Sequence, residues 1–245
     1  MTIVNFPVPL PRGTARQRAA ARANANAGLY EMFLAPRKRA LFGELHGNVL
    51  EIGAGAGPNL AYFPFDVRWR GIEPNPAAVR YLQQAISMLG RPPENYIIDA
   101  GDPEGRRLTA PDASQDAVVC TLALCSVADP DAMLREIVRV LKPGGKFAFI
   151  EHVAATRGSG LRAFQELIKP LSILFEDGCH PNRETWKTIY DAGFVRVEIE
   201  HFELHEGILT VPFISGWAQK GSPTLQRSHR TTVIAGSMRQ NWRSR

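Results

Sequence analysis

The sequence predicts an α/β protein whose doubly wound, seven-stranded, mostly parallel sheet carries a C-terminal antiparallel hairpin strand. Three observations predict it. Short apolar, β-prone runs alternate with helical periodicity between residues 49 and 151, the pattern of successive βαβ units. The last two runs, Phe194–Phe202 and Phe213–Gln219, follow one another with no helix between them, so the second must return antiparallel to the first. The first strand opens straight into a glycine-rich turn, the usual entry to a ligand-binding crevice in such sheets.

The elements follow in chain order. Thr14–Ala27 is rich in Ala and Arg, with Thr14 as a candidate N-cap; it predicts a helix that continues, broken, to about Leu45. Val49–Ile52 is short, apolar and bounded by glycine, hence a buried strand. Asn59–Phe63 predicts a short helix, and Arg68–Ile72 a second strand closed by Glu73. Pro76 suits a first helical turn, and Val79, Leu82 and Ile86 share one face of a helix running to about Leu89. Asn95–Asp99 is the third strand, Gly101–Ser114 a polar loop, and Asp116–Leu122 the fourth strand. Ala132–Leu141 is amphipathic and should stop at Lys142-Pro143-Gly144-Gly145, where a donor is lost and φ is freed. Lys146–Glu151 is the fifth strand; Gly160–Phe175 and Glu184–Ala192 are helices. The expected organisation is an N-terminal helical region over 1–45, one domain over 46–220 and a basic tail over 221–245, with no internal repeat.

The turn after the first strand reads Glu51-Ile-Gly53-Ala-Gly55-Ala-Gly57-Pro58. Glycine lets a backbone bend sharply and approach a ligand closely. Glu73, roughly 20 residues past that turn, is placed to accept both hydroxyls of a ribose. The two together predict a nucleoside-containing cofactor. A dinucleotide motif would need a third glycine where Pro58 stands, and no phosphate-cradling G-x-x-x-x-G-K-[ST] occurs.

Composition narrows the class. Of 245 residues, 44% are apolar and 22% charged, ordinary for a globular protein. No apolar run reaches the ~18–20 residues of a membrane span, and no secretory signal core is present, so a cytoplasmic protein is expected. Cys120, Cys125 and Cys179 form no C-x-x-C pair, which argues against a disulfide framework and structural zinc; no metal is expected. Cys120 reads as a core hydrophobe. The net charge of +5 sits at the ends: 222–245 carries five arginines and no acid, and 1–40 has seven basic residues against Glu31. The middle is acidic. Basic ends suit a solvated tail or peripheral contact with an anionic membrane; nucleic acid is not expected, since basic and aromatic residues do not interleave.

The glycine motif resembles motif I of the class I S-adenosylmethionine (SAM) methyltransferases, and a longer series narrows the resemblance. It includes Asp116–Val127, the helix through Arg139-Val140-Leu141, Lys142–Gly145, Glu151–Ala155, Asp177-Gly178-Cys179, Arg183-Glu184, Trp186-Lys187 and Gly216-Trp217-Ala218, with Lys38-Arg39, Leu41-Phe42 and Pro74-Asn75-Pro76 upstream. Over roughly 30–220 the chain is similar to the alkyl thiol S-methyltransferases, the methyltransferase-like proteins of animals. The apolar membrane-anchoring start of those proteins has no counterpart in Met1–Gly13, and the tail after Lys220 is additional.

The resemblance implies a Rossmann-like methyltransferase fold, SAM as cofactor, S-adenosylhomocysteine as its product and a small thiol as acceptor. It implies that Gly53, Gly55 and Gly57 hold the methionine end, with Glu51, Asn59, Thr121 and Leu122 beside it. Glu73 would take the ribose hydroxyls, Pro74 and Asn75 would lie at the adenosine, and Asp102, with Gly101, would meet the adenine amino group. The acceptor belongs at the carboxyl edge of the sheet. His152 follows the fifth strand; Asp177, Cys179 and His180 lie in the next insertion, with Phe175 and Trp186 as apolar walls. A thiol with a pKa near ~8.5 gains from a neighbour that removes its proton, and Asp177 or His152 is the candidate. An O-, N- or C-methyltransferase for a small natural product or quinone shares the same motifs. A non-catalytic nucleic-acid- or membrane-binding protein would leave the cofactor signature without a use.

Overall fold

A computed structural model describes residues 30–102, 106–176, 178–206 and 209–222. The helix expected over Thr14–Ala27, Asp177 and the arginine-rich tail lie outside the described residues.

Seven strands form one sheet: β1 (Asn48–Ile52), β2 (Arg68–Ile72), β3 (Tyr96–Asp99), β4 (Gln115–Thr121), β5 (Leu141–His152), β6 (Arg196–Glu206) and β7 (Leu209–Gln219). Their spatial order is β3-β2-β1-β4-β5-β7-β6. β1 to β5 run parallel, whereas β7 inserts antiparallel between β5 and β6. The order reverses between β1 and β4, the point at which open α/β sheets leave a crevice beyond their carboxyl ends.

Alternation along the central strands sends side chains to two apolar cores. Val118, Cys120, Phe147 and Phe149 point to one, with Leu134 and Ile137 of helix α3 (Pro130–Val140) and Ile189 of α5 (Thr185–Asp191). Ala117, Val119, Ala148 and Ile150 point to the other, with Leu82 of α2 (Pro76–Met88) and Leu34 and Phe42 of α1, which occupies residues 30–42. Both faces are therefore covered, as parallel strands require. The helix starts are set by local chemistry. Asn75 and Asp129 cap α2 and α3 through their side chains, each followed by Pro at the first turn, and Ser159 caps α4 (Gly160–Phe175). Among the described residues no helix is long and apolar enough to cross a membrane.

One expected boundary moves. Lys142-Pro143-Gly144-Gly145 does not separate helix from strand; β5 already starts at Leu141. The register jumps from Gln115↔Leu141 to Ala117↔Lys146, so residues 142–145 stand opposite Asp116 alone and three extra residues bulge out of the ladder. Gly144 takes φ +81° there. Its N–H donates to Lys220 O at 3.0 Å, and Lys142 Nζ reaches both oxygens of Asp116 at 2.7 Å. The turn residues are as expected, but tertiary partners keep the segment in the sheet. Likewise β6 and β7 extend beyond Phe194–Phe202 and Phe213–Gln219, because each supplies the other's backbone partners out to Glu206↔Leu209.

Candidate active site

The ends of β1, β2 and β3 build the first half of the site. Gly53 N and Ala54 N both donate to Ile72 O, at 2.9 and 3.1 Å, so the glycine turn is tied to the neighbouring strand. Gly53, Gly55 and Gly57 all have φ between +56° and +85°, where a side chain is costly. A Cβ on Gly55 would meet no protein atom within 4 Å, so at this point the bare backbone faces open space. Glu73 closes the turn: Oε2 accepts from Gly55 N and Oε1 from Asn75 N, both at 2.8 Å.

Behind the turn, Glu51 is 1% exposed and its oxygens accept from Asn59 Nδ2 at 2.7 Å and Trp69 Nε1 at 2.8 Å. Burial raises its pKa to about 7, against the Trp69 and Asn59 hydrogen bonds and the Lys38 charge. Asn59 also donates to Thr121 Oγ1 at 3.0 Å, which links β1 to β4. Asn59 Oδ1 is buried and has no hydrogen-bond partner among the described residues. Leu122, just past β4, adopts φ +56°, an uncommon conformation for leucine that turns the chain at this edge. Pro74 is exposed beside Glu73. Past β3, Asp99 Oδ1 accepts from Gly101 N at 2.8 Å, and Asp102 Oδ2 accepts from Arg106 N and Arg107 N at 2.9 and 3.1 Å.

β4 and β5 build the second half. His152 ends β5, Cys125 lies in the turn after β4, and Cys179 follows α4. Cys179 Sγ is 3.1 Å from His152 Nε2, and the sulfur and ring-nitrogen atoms of Cys125, His152 and Cys179 all lie within 4.8 Å of one another. Both cysteines are buried, His152 half-buried. The Cys179 thiol bonded to Cys125 holds the latter's pKa well below the usual thiol value despite burial, with His152 assisting. The same contact, with burial, pushes Cys179 up. Burial alone would lower His152; the charge and hydrogen bond of Cys125 outweigh it and raise it to about 9. Beneath the trio, Glu151 is fully buried, and its Oε1 accepts from Ala123 N and Leu124 N at 3.1 Å.

The remaining expected residues scatter. His180 contributes its backbone, donating N–H to Cys125 O at 3.0 Å, while its ring Nδ1 lies 2.8 Å from Gly178 O. Phe175 is 55% exposed at the end of α4. Trp186 packs against the α3-side core and meets His201 edge-on, ring centroids 5.4 Å apart. Cys125 carries no local sequence signal that would join it to His152 and Cys179. Cys125, His152 and Cys179 stand 27 residues apart in succession, far outside any short ligand motif, so only strand order reveals their proximity.

A seven-stranded sheet of this order, with a glycine cradle and an acidic residue just past β2, is the Rossmann-like arrangement shared by the SAM methyltransferases. Residues 50–149 match the methyltransferase domain family. The YcgJ protein of Bacillus subtilis, at 18% identity, superposes with a TM-score of 0.61 over 77% of this chain and 98% of its own, a likeness of fold. Two curated relatives are nearer in sequence. Thiol S-methyltransferase TMT1A of Homo sapiens is 36% identical over 78% of this chain and 82% of its own length. Thiol S-methyltransferase TMT1B of Rattus norvegicus is 37% identical over 67% and 70%. The chain belongs to the thiol S-methyltransferase family and is a SAM-dependent enzyme.

Three features of the cradle fit SAM: the open space against Gly55, the buried unpartnered acceptor on Asn59, and the carboxylate of Glu73 beside exposed Pro74.

Proposed function

We propose that the chain methylates the sulfur of a small, fairly apolar thiol, and that the acceptor sulfur is brought against Cys125, His152 and Cys179. The position of that trio carries the reading. It occupies the carboxyl edge of β4 and β5, next in the sheet to β1 and its glycine cradle, and the carboxyl edge is where open α/β sheets bind ligands.

When bound, SAM supplies an activated methyl group on a sulfonium that is already a good leaving group. The chain therefore has to position, dehydrate and favour the anionic form of the acceptor. Gly53–Gly57 offers close backbone contact to the methionine end, and Asn59 Oδ1 accepts from its ammonium. Glu51 acts from behind by fixing Asn59. Glu73 holds the ribose hydroxyls while its other lone pairs keep Gly55 and Asn75 in place. Pro74 packs on adenine, and Asp102 with Gly101 borders the amino group. Leu122 directs the chain from the cradle into the Cys125 turn. The trio that includes His152 favours the thiolate, with Phe175 as an apolar wall. The same reading places the enzyme in the cytoplasm, with its basic ends able to contact an anionic membrane.

A panel of alkyl thiols, phenols and amines incubated with enzyme and SAM tests this. Methyl thioethers should form and scale with thiol hydrophobicity. Turnover confined to phenols or amines would refute it.

A further inference from the structure

We propose that Cys125, His152 and Cys179 are the ligands of one zinc ion, and that its fourth position receives the acceptor thiol. The inference rests on the thiol-methylating reading above and specifies how the trio carries it out.

The donor set selects the metal. Two thiolates and one imidazole form the protein ligand set of open, catalytic zinc, in which three side chains leave a fourth tetrahedral position for substrate. No carboxylate belongs to the trio, which disfavours magnesium, calcium and manganese.

The geometry accommodates the ion. Tetrahedral zinc with sulfur at about 2.3 Å and nitrogen at about 2.0–2.1 Å places its donors about 3.5–3.8 Å apart. The three donor atoms already fall within 4.8 Å of one another, with Cys179 and His152 at 3.1 Å, so adjustments of the order of an ångström suffice.

The backbone around the trio is also fixed from several directions. Cys125 O accepts from His180 N at 3.0 Å, Cys179 N donates to Glu176 O at 3.1 Å, and Arg183 Nη1 bonds Leu124 O and Val127 O at 2.5 and 2.9 Å. The turn after β4 and the segment after α4 are thereby locked together, and Ala154 N, donating to Arg183 O at 2.9 Å, ties the chain just past His152 to them. Both cysteines are buried and His152 is half-buried, so His152 is the member of the trio nearest to solvent, and the open position is assigned to that side.

The chemistry follows. A neutral thiol enters, its proton leaves to solvent, and its sulfur occupies the fourth position as a thiolate. A lone pair of that sulfur attacks the methyl carbon of SAM. The carbon–sulfonium bond breaks and its electron pair remains on the sulfur of S-adenosylhomocysteine. The methylated acceptor is a neutral thioether, a much poorer ligand, and leaves. The cation makes a thiolate available near neutral pH, and methylation itself releases the product.

Cobalt(II) chloride titrated into the reduced, chelator-treated full-length chain is the test. One cobalt per chain should bind, with sulfur-to-cobalt charge transfer in the near ultraviolet and visible bands of tetrahedral intensity. An alkyl thiol added without SAM should shift those visible bands, and zinc chloride should abolish them. Cys125→Ser and Cys179→Ser should each weaken binding by about 100-fold or more, the scale of losing ligand-shell interactions. Calorimetric binding of S-adenosylhomocysteine should persist in both variants, which shows that they are folded.

Absence of a charge-transfer band with excess cobalt overturns the proposal, as does a band insensitive to both variants or binding of metal only by oxidised protein. Metal-free enzyme that methylates thiols at the full rate overturns the zinc assignment and leaves the thiol reading standing. Metal bound by the trio in an enzyme that methylates only phenols or amines refutes the thiol reading, and with it the assigned fourth ligand.

Discussion

Glu73 Oε2 accepts the backbone N–H of Gly55 at 2.8 Å, so a carboxylate at the end of one strand holds the glycine turn at the end of its neighbour. Its other oxygen holds Asn75 N at the same distance, at the cap of α2. The residue that would meet the ribose is also the clasp that shapes the cradle. In Glu73→Gln the amide nitrogen must face one of these N–H donors. Bonds to a charged acceptor contribute about 1.5–3 kcal/mol, so affinity for S-adenosylhomocysteine should fall roughly 10- to 150-fold by calorimetry. Unchanged affinity would remove Glu73 from the cofactor site.

Gly55 and Gly216 separate binding from folding. Gly55→Ala places a methyl group in open space at φ +56°, costing about 1–2 kcal/mol of stability for the left-handed backbone. It should nevertheless abolish cofactor binding, because the methyl fills the close-approach position. In Gly216→Ala the new Cβ would lie 1.9 Å from Glu198 O across the β6–β7 ladder. That variant should lose about 3 kcal/mol or more in denaturant unfolding, as overpacking does. Equal stability losses in the two would contradict the assignment.

Glu51 gives a pH signature. Its folded pKa, raised by burial to about 7, exceeds the ordinary carboxylate value of 4.5. The folded state therefore holds this proton more tightly than the unfolded chain. The contribution to stability is complete below about pH 4.5 and lost as pH rises through 7. By linkage the difference amounts to roughly 3 kcal/mol. Glu51→Gln should flatten the decline between pH 5 and 8 in urea melts, even though the amide nitrogen replaces one of the two oxygens that accept from Asn59 and Trp69. A slope identical to the parent protein would refute the burial argument.

The order of elements was legible because period-2 and period-3.6 patterns report directly on burial, and glycine and proline mark the turns. Gly53, Gly55 and Gly57 needed no tertiary information, since the motif is local. Lys142–Gly145 misled because turn propensity is local whereas the hydrogen bonds from Gly144 to Lys220 and from Lys142 to Asp116 are not. By resemblance Glu51 is expected beside the methionine end of the cofactor. Its engagement with Trp69 depends on the β1–β2 register, which the sequence does not state. The sequence puts Cys179 in the insertion after the fifth strand and attaches no role to Cys125, because the meeting of the two with His152 depends on α4 returning the chain to the end of β4.

The central claim is that a methyl group passes from SAM to a sulfur acceptor. A single-turnover reaction with methyl-deuterated SAM and an equimolar mixture of an alkyl thiol, a phenol and a primary amine tests it most directly. The account predicts label in the thioether above all other products, with one S-adenosylhomocysteine released per labelled thioether. Label in the ether or methylamine with none on sulfur would contradict it.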